Sequence, residues 1–275
     1  VSVSLLFQEY ACFIIHYSPL IERRIFLEKA LTEVECEWVK ETDVIFESYP
    51  WNSERHVFGV NKRLIASDLG VNSRTISRSR RRARLESYLY RYATLLGSKF
   101  QKTTYGSLPS FERLPNPILE LNSMHLHAVF LFLQSNQEWG LFLEDDSLFS
   151  KAGILQVEEI AKERHKKPIW INLNDGAGLT KTLSDKKTNK KGLFRVKPAN
   201  TRCAAAYMIN RKYALRFKDL IMVHGIPDWL PIDVIYQIAN RKISAKAYWS
   251  EIPLFVQGSS QGKYESNLES FRKEN

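Results

Sequence analysis

Glu144, Asp145 and Asp146 stand in a row directly after the apolar run Trp139-Gly-Leu-Phe-Leu143. Adjacent carboxylates repel one another and resist leaving water unless something positive compensates them. A divalent cation is the natural partner: Mg²⁺ or Mn²⁺ takes one or two carboxylates and completes its shell with substrate phosphates. The chemistry such a site supplies is stabilisation of a departing diphosphate. The plainer reading is a solvated turn after a strand, since Asp favours turns and helix caps.

The elements around the acids have an α/β rhythm. Ala11–Ile15 reads as a buried strand, and Pro19 opens a helix whose apolar stripe is Ile21, Ile25, Leu27, Ala30 and Leu31. Cys36–Val39 is a second strand, so the chain opens as strand, helix, strand, the start of a parallel sheet. A long helix is expected over 118–135, then the strand 139–143 that delivers the acids, a helix over 154–164 and a strand over 168–173. The polar, lysine-rich stretch 180–192 reads as a loop. A strand at 204–209, helices at 212–221 and 231–241 and two short strands within 244–255 complete the pattern. In open α/β sheets ligands gather at the carboxyl ends of strands, where the acidic row falls.

Between residues 48 and 117 the rhythm breaks. Helices are expected at 64–69 and from 73 to about 96, followed by a Ser-, Gly-, Thr- and Pro-rich connection. The expectation is one α/β domain over 1–275 that carries a helical, basic insertion at 48–117.

A 44% hydrophobic and 12% aromatic composition excludes wholesale disorder. No apolar run approaches the roughly 20 residues that span a bilayer. No secretory leader is evident in the opening residues. Cys12, Cys36 and Cys203 are scattered and odd in number, which argues against a disulfide scaffold and makes a cytoplasmic location the expectation. The net charge of +10 points to phosphate-rich partners: nucleic acid, anionic lipid or nucleotide-linked substrates.

Five pieces in order resemble the family 25 glycosyltransferases, the lipooligosaccharide-type sugar transferases. They are Phe13–His16 with Glu22-Arg23-Arg24 and Glu37-Trp38-Val39; Glu120 to His127; Trp139 to Asp146; Thr201 to Arg211; and Pro231-Ile-Asp233. The chain departs from the family pattern at Asn122-Ser123, where a glycine-cysteine pair is usual, and at Leu126, where a serine is usual. It also has no histidine after His224 to act as a late metal ligand.

The resemblance implies a Rossmann-like GT-A fold and an inverting transfer of a hexose, galactose in the first instance. The donor is then a nucleotide diphosphate sugar, UDP-linked by preference, and the acceptor a glycan hydroxyl of a lipooligosaccharide or polysaccharide. By the same resemblance Asp233 is the general base, with helix capping as its alternative role. Asp228 stands behind it as a second choice. Asp146, with Glu144, would hold Mn²⁺ or Mg²⁺, while Glu144 and Asp145 bond the ribose or donor sugar. His16 and Arg23 would contact the nucleotide or its phosphates, although Arg23 also suits an exposed helix surface. His127 would orient the donor pocket, or serve as a hydrogen-bonded core histidine. The polar tail Gln257-Gly-Ser-Ser-Gln-Gly-Lys263 has the composition to close over a diphosphate.

One segment points elsewhere. Residues 62–82 resemble a helix-turn-helix, with Ala66, Gly70 and Ile76 at its packing positions and Arg74, Thr75 and Arg78 facing a DNA groove. Ser79 stands where the second helix should bury an apolar side chain. Inside a transferase the same arginines would face acceptor phosphates or an anionic membrane surface, giving peripheral membrane contact. A transferase fold retained for binding alone is a third reading.

Overall fold

The computed structural model describes residues 9–44 except 33, 50–52, 56–57, 60–61, 116–174, 186–187, 192–196, 204–259 except 229, and 261–264. The helices expected at 64–69 and 73–96, and with them the helix-turn-helix-like segment, lie outside the described residues.

The chain opens with β1 (Tyr10–His16), α1 (Ile21–Ala30) and β2 (Cys36–Lys40), followed by a 3₁₀ turn at Glu41–Asp43. Three short strands follow, β3 (Trp51–Asn52), β4 (His56–Val57) and β5 (Val60–Asn61). Then come α2 (Asn116–Gln134), β6 (Trp139–Glu144), β7 (Ser147–Phe149) and α3 (Lys151–Ala161). The second half holds β8 (Ile169–Asn172), β9 (Lys186–Lys187), β10 (Leu193–Val196), β11 (Ala206–Asn210) and α4 (Arg211–His224). It continues with β12 (Ile226–Pro227), α5 (Ile232–Lys242), β13 (Lys246–Ser250) and β14 (Phe255–Gln257).

Among the described residues, eight strands form one mixed sheet in the order β2-β1-β6-β11-β8-β13-β10-β9. β1 pairs in parallel with both β2 and β6, whereas β11 and β10 run against their neighbours. The fold is therefore α/β and compatible with a Rossmann-like architecture, but the sheet is not purely parallel. β9 and β10 were not foreseen: two lysines of the expected loop pair against Phe194 and Arg195, where backbone hydrogen bonding outweighs a polar composition.

Strand alternation explains the near-continuous apolar runs, because helices cover both faces. On one face Phe13, Ile15, Phe142, Trp170, Tyr207 and Ile209 meet α2, α4 and α5. On the other, Cys12, Ile14, Leu141, Leu143, Ile171 and Met208 meet α1 and α3. Across the first face runs an aromatic ladder. Phe13 stacks on Phe142 with ring centroids at 5.3 Å, Phe142 on Tyr207 at 4.9 Å, and Tyr207 on Trp170 at 4.3 Å. The ladder ties β1, β6, β11 and β8 into one rigid platform.

The helix boundaries follow capping chemistry. Ser150 accepts a hydrogen bond from the Gly153 N–H to start α3, and Asn210 accepts one from Tyr213 to start α4. Gly225, at φ 73°, closes α4.

The expected stripe on α1 is corrected. Arg23, Leu27 and Leu31 are the buried positions, while Ile21 and Ile25 remain 63% and 58% exposed. Burying Ile21 and Ile25 together would contribute about 3–6 kcal/mol, comparable with the about 3–5 kcal/mol cost of stranding a buried charge. The helix keeps Arg23 inward, and its acidic partner is described below.

Within α3, a Cβ added at Gly153 would lie 2.8 Å from the Leu254 carbonyl oxygen, a backbone atom. Gly→Ala in a helix interior ordinarily stabilises by up to about 1 kcal/mol. Here Gly153→Ala is expected to destabilise by about 1–3 kcal/mol through overpacking, measured as a lowered urea midpoint.

Candidate active site

β1 and β6 are neighbours, yet the chain leaves β1 for β2 on one side and reaches β6 on the other only later. This reversal creates a crevice at the carboxyl ends of the two strands, the place where α/β sheets bind ligands. Register sets Ile15 beside Glu144, so His16 and the acidic row emerge together at its floor.

Asp145 is the most heavily bonded of the three acids. Its Oδ1 accepts from the Arg23 guanidinium at 2.8 Å. Its Oδ2 lies 3.0 Å from His16 Nδ1 and accepts from the Tyr17 N–H at 3.1 Å. All three side chains are almost fully buried, and the Trp38 ring packs edge-on to His16 at 5.3 Å. His16 and Arg23, both expected beside a nucleotide, are thus brought to the site and held there by Asp145. Both oxygens of Asp145 are engaged within the chain, so its direct part is to position these neighbours.

Asp146 differs. Its Oδ2 accepts from Ser259 Oγ at 2.6 Å and from the Ser259 N–H at 3.3 Å. Its Oδ1 is buried and has no hydrogen-bond partner. Burial and the nearby Glu144 carboxylate push its pKa up to about 6, against the lowering effect of Ser259 and Arg23. A buried acceptor without a donor is costly, and a cation is the partner that would satisfy it.

Glu144 reaches the helix side. Its Oε1 lies 3.3 Å from Nε2 of His125, whose Nδ1 is 3.0 Å from the Tyr207 hydroxyl. That hydroxyl lies 2.8 Å from the Tyr236 hydroxyl, so a buried polar chain runs from α5 to the acidic row. Burial pushes Glu144 up to about 8, with the Asp145 and Asp233 carboxylates adding to the rise. Burial also lowers His125 to about 3, so its ring is neutral and its contact with Glu144 is a hydrogen bond rather than an ion pair.

Asp233 sits half-buried in the first turn of α5 and is near enough for its charge to act on both His125 and Glu144. Its Oδ1 accepts from the following Val234 N–H at 2.9 Å, and the cap position itself is taken by Pro231. Burial raises its pKa.

The helix histidine that reaches Glu144 is His125, a residue not singled out from the sequence. Helical spacing carried the signal: Asn122, His125, Val129 and Phe132 recur at three and four residues, and all are buried. Ser259 was legible only as one polar residue of a glycine-bearing tail. Antiparallel pairing of β14 with β7 sets Gln257 opposite Ser147, and the next residues must then pass Asp146. Gly258 donates its N–H to the Asp146 carbonyl at 2.7 Å, and a Cβ there would lie 2.8 Å from that oxygen, so only glycine fits. Beyond it Tyr264 lies under the Arg23 guanidinium at 5.2 Å, and Lys263 Nζ stands 3.9 Å above the Phe26 ring. The tail therefore wraps back across α1 beside the acids.

Among the described residues, no three His, Cys, Asp or Glu side chains converge on a metal position. One or two carboxylates suffice when substrate phosphates complete the shell. The orphaned Asp146 oxygen, with Glu144 beside it in sequence, fits that kind of site.

Two outcomes are expected. Arg23→Met lowers unfolding free energy by about 3–5 kcal/mol, and Asp145→Asn costs less in that background than alone, a coupling measured by urea denaturation. Glu144 and Asp146 have folded pKa values above the unfolded ones, so the folded chain binds more protons. Their stabilisation is complete below the unfolded carboxylate range, about pH 4, and falls as pH rises through about 6 and then about 8. Glu144→Gln is expected to flatten the upper part of this decline in melting temperature between pH 6 and 9.

The sequence matches no protein-family model, and no curated protein matches it.

Proposed function

We propose that this chain is a nucleotide-sugar-dependent glycosyltransferase of the GT-A type. In this reading it moves a hexose, galactose in the first instance, from a UDP-linked donor to a hydroxyl of a lipooligosaccharide or polysaccharide glycan, with inversion. The observation that carries it is Asp146: a buried carboxylate oxygen without a donor, in a row of acids at a strand-end crevice. Four carboxylates, Glu144, Asp145, Asp146 and Asp233, act on one another there, with Arg23 the arginine among them. That imbalance favours a cation and a ligand that brings its own phosphates. The five ordered pieces that resemble family 25 glycosyltransferases support the same reading.

Asp146, with Glu144, would hold Mn²⁺ or Mg²⁺, and the metal when bound supplies charge neutralisation for the diphosphate leaving group. Arg23 and His16, fixed by Asp145, line the donor side. Asp233 takes the proton of the acceptor hydroxyl as its oxygen attacks the anomeric carbon and the bond to the diphosphate breaks. A carboxylate whose pKa is raised by burial is the stronger base for that step. Ser259, which bonds Asp146, and Lys263 further along the same tail would meet the phosphates in this reading.

No helix among the described residues is long and apolar enough to cross a membrane. A cytoplasmic enzyme that touches the membrane peripherally through its basic 48–117 segment is the arrangement this reading favours.

A thermal-shift series with UDP, GDP, ADP and CMP, each with and without Mn²⁺, tests the proposal. One nucleotide is expected to raise the melting temperature in a metal-dependent way, and Asp146→Ala to remove that shift. Asp233→Asn should retain the shift and lose about 10²–10⁴-fold in turnover; unimpaired turnover removes Asp233 from the base role. No nucleotide shift, together with salt-sensitive binding of duplex DNA, would transfer the assignment to the 62–82 segment.

A further inference from the structure

Away from the acidic crevice, Cys12 and Cys36 form a second chemically distinct place. They are direct partners in the parallel register of β1 and β2, and their Sγ atoms are 2.9 Å apart. Neighbouring strands lie about 4.8 Å apart, inside the 4.4–6.8 Å Cα separation that disulfides span. A bond of about 2.05 Å needs the two sulfurs to approach by roughly 0.9 Å, within the reach of side-chain rotation alone. Two reduced thiols at 2.9 Å are already closer than ordinary sulfur contact.

The environments of the two thiols are unequal. Cys12 is buried between the sheet and α1, in the cluster that holds Leu27 and Leu31, while Cys36 is half-buried on the sheet's edge strand. Burial, then the neighbouring Cys36, holds the Cys12 thiol well above its ordinary pKa. The phenol of Tyr10 lies close enough to feel both sulfurs, and Glu158 of α3 acts on it too. Reactivity follows access, and Cys36 is the less buried of the two, which leaves Cys12 as the sulfur waiting behind it.

We propose that Cys12 and Cys36 are a reversible disulfide site that takes a two-electron oxidant of the peroxide class. Cys36 Sγ attacks one peroxide oxygen, the O–O bond breaks, and the thiol becomes a sulfenic acid as water leaves. Cys12 Sγ then attacks the Cys36 sulfur, the S–O bond breaks, and a second water leaves. Two thiols and one hydrogen peroxide thus become one disulfide and two waters, and a dithiol reductant reverses the product. The bond ties the edge strand β2 to β1 two residues before Trp38, whose ring packs on His16. Oxidation is therefore expected to stiffen the wall of the crevice and leave its acids untouched. This inference does not rest on the proposed glycosyltransferase activity.

The test uses the full chain, reduced, freed of reductant and exposed while folded to hydrogen peroxide, then alkylated in denaturant and digested. The expected product is one peptide pair joining Cys12 to Cys36, two hydrogens lighter than its reduced parts, with Cys203 alkylated. Dithiothreitol restores two alkylatable thiols. Closing this loop is expected to raise the melting temperature by about 5–10 °C, and Cys36→Ser abolishes both the crosslink and the rise. Separate alkylation of Cys12 and Cys36 after oxidation, a crosslink formed only in unfolded chain, or a lowered melting temperature on oxidation would each overturn the proposal.

Discussion

Asp145 is the constraint on which the crevice depends. One carboxylate gathers a guanidinium from α1, an imidazole from the end of β1 and a backbone N–H from the turn between them. Removing any one donor leaves charge or an unsatisfied group in an almost dry place, at a cost far above that of a surface pair. The rotation of α1 about its own axis follows from this, because Arg23 must face inward even though two isoleucines then stay at the surface.

With Asp145 committed, its neighbours are left in a different electrostatic state. Glu144 and Asp146 share the burial but lack a guanidinium bond of their own, and their pKa values rise to about 8 and about 6. Three consecutive acids therefore divide into one that organises the chain and two whose charge is costly without a ligand. Ser259 offsets part of that cost at one oxygen of Asp146. The other oxygen remains the strongest local argument for a cation.

The platform beneath is rigid for a separate reason. Stacked rings on β1, β6, β11 and β8 cross the sheet under α2, α4 and α5, and the Tyr207 ring at the ladder's centre also bears the hydroxyl that meets His125. The same residue thus stiffens the sheet and aims a helix histidine at Glu144. Positioning within about half an ångström, which sites of this kind require, comes from such shared packing.

The order and type of the main elements were legible in the chain, because apolar runs of four to seven residues and helical stripes are local patterns. So was the acidic row at the end of a strand, whereas His16, Arg23 and Asp233 were marked by the resemblance to family 25 glycosyltransferases; the fold brings His16 and Arg23 onto Asp145. The direction of β10 and β11, the pairing of β14 with β7 and the contact of His125 with Glu144 were decided only by the tertiary structure. Each depends on contacts between residues far apart in sequence: Ser259 lies 113 positions from Asp146, and Cys36 is 24 from Cys12. Local spacing determines which faces are apolar; only packing and the pairing of buried charge decide which polar side chains meet between them.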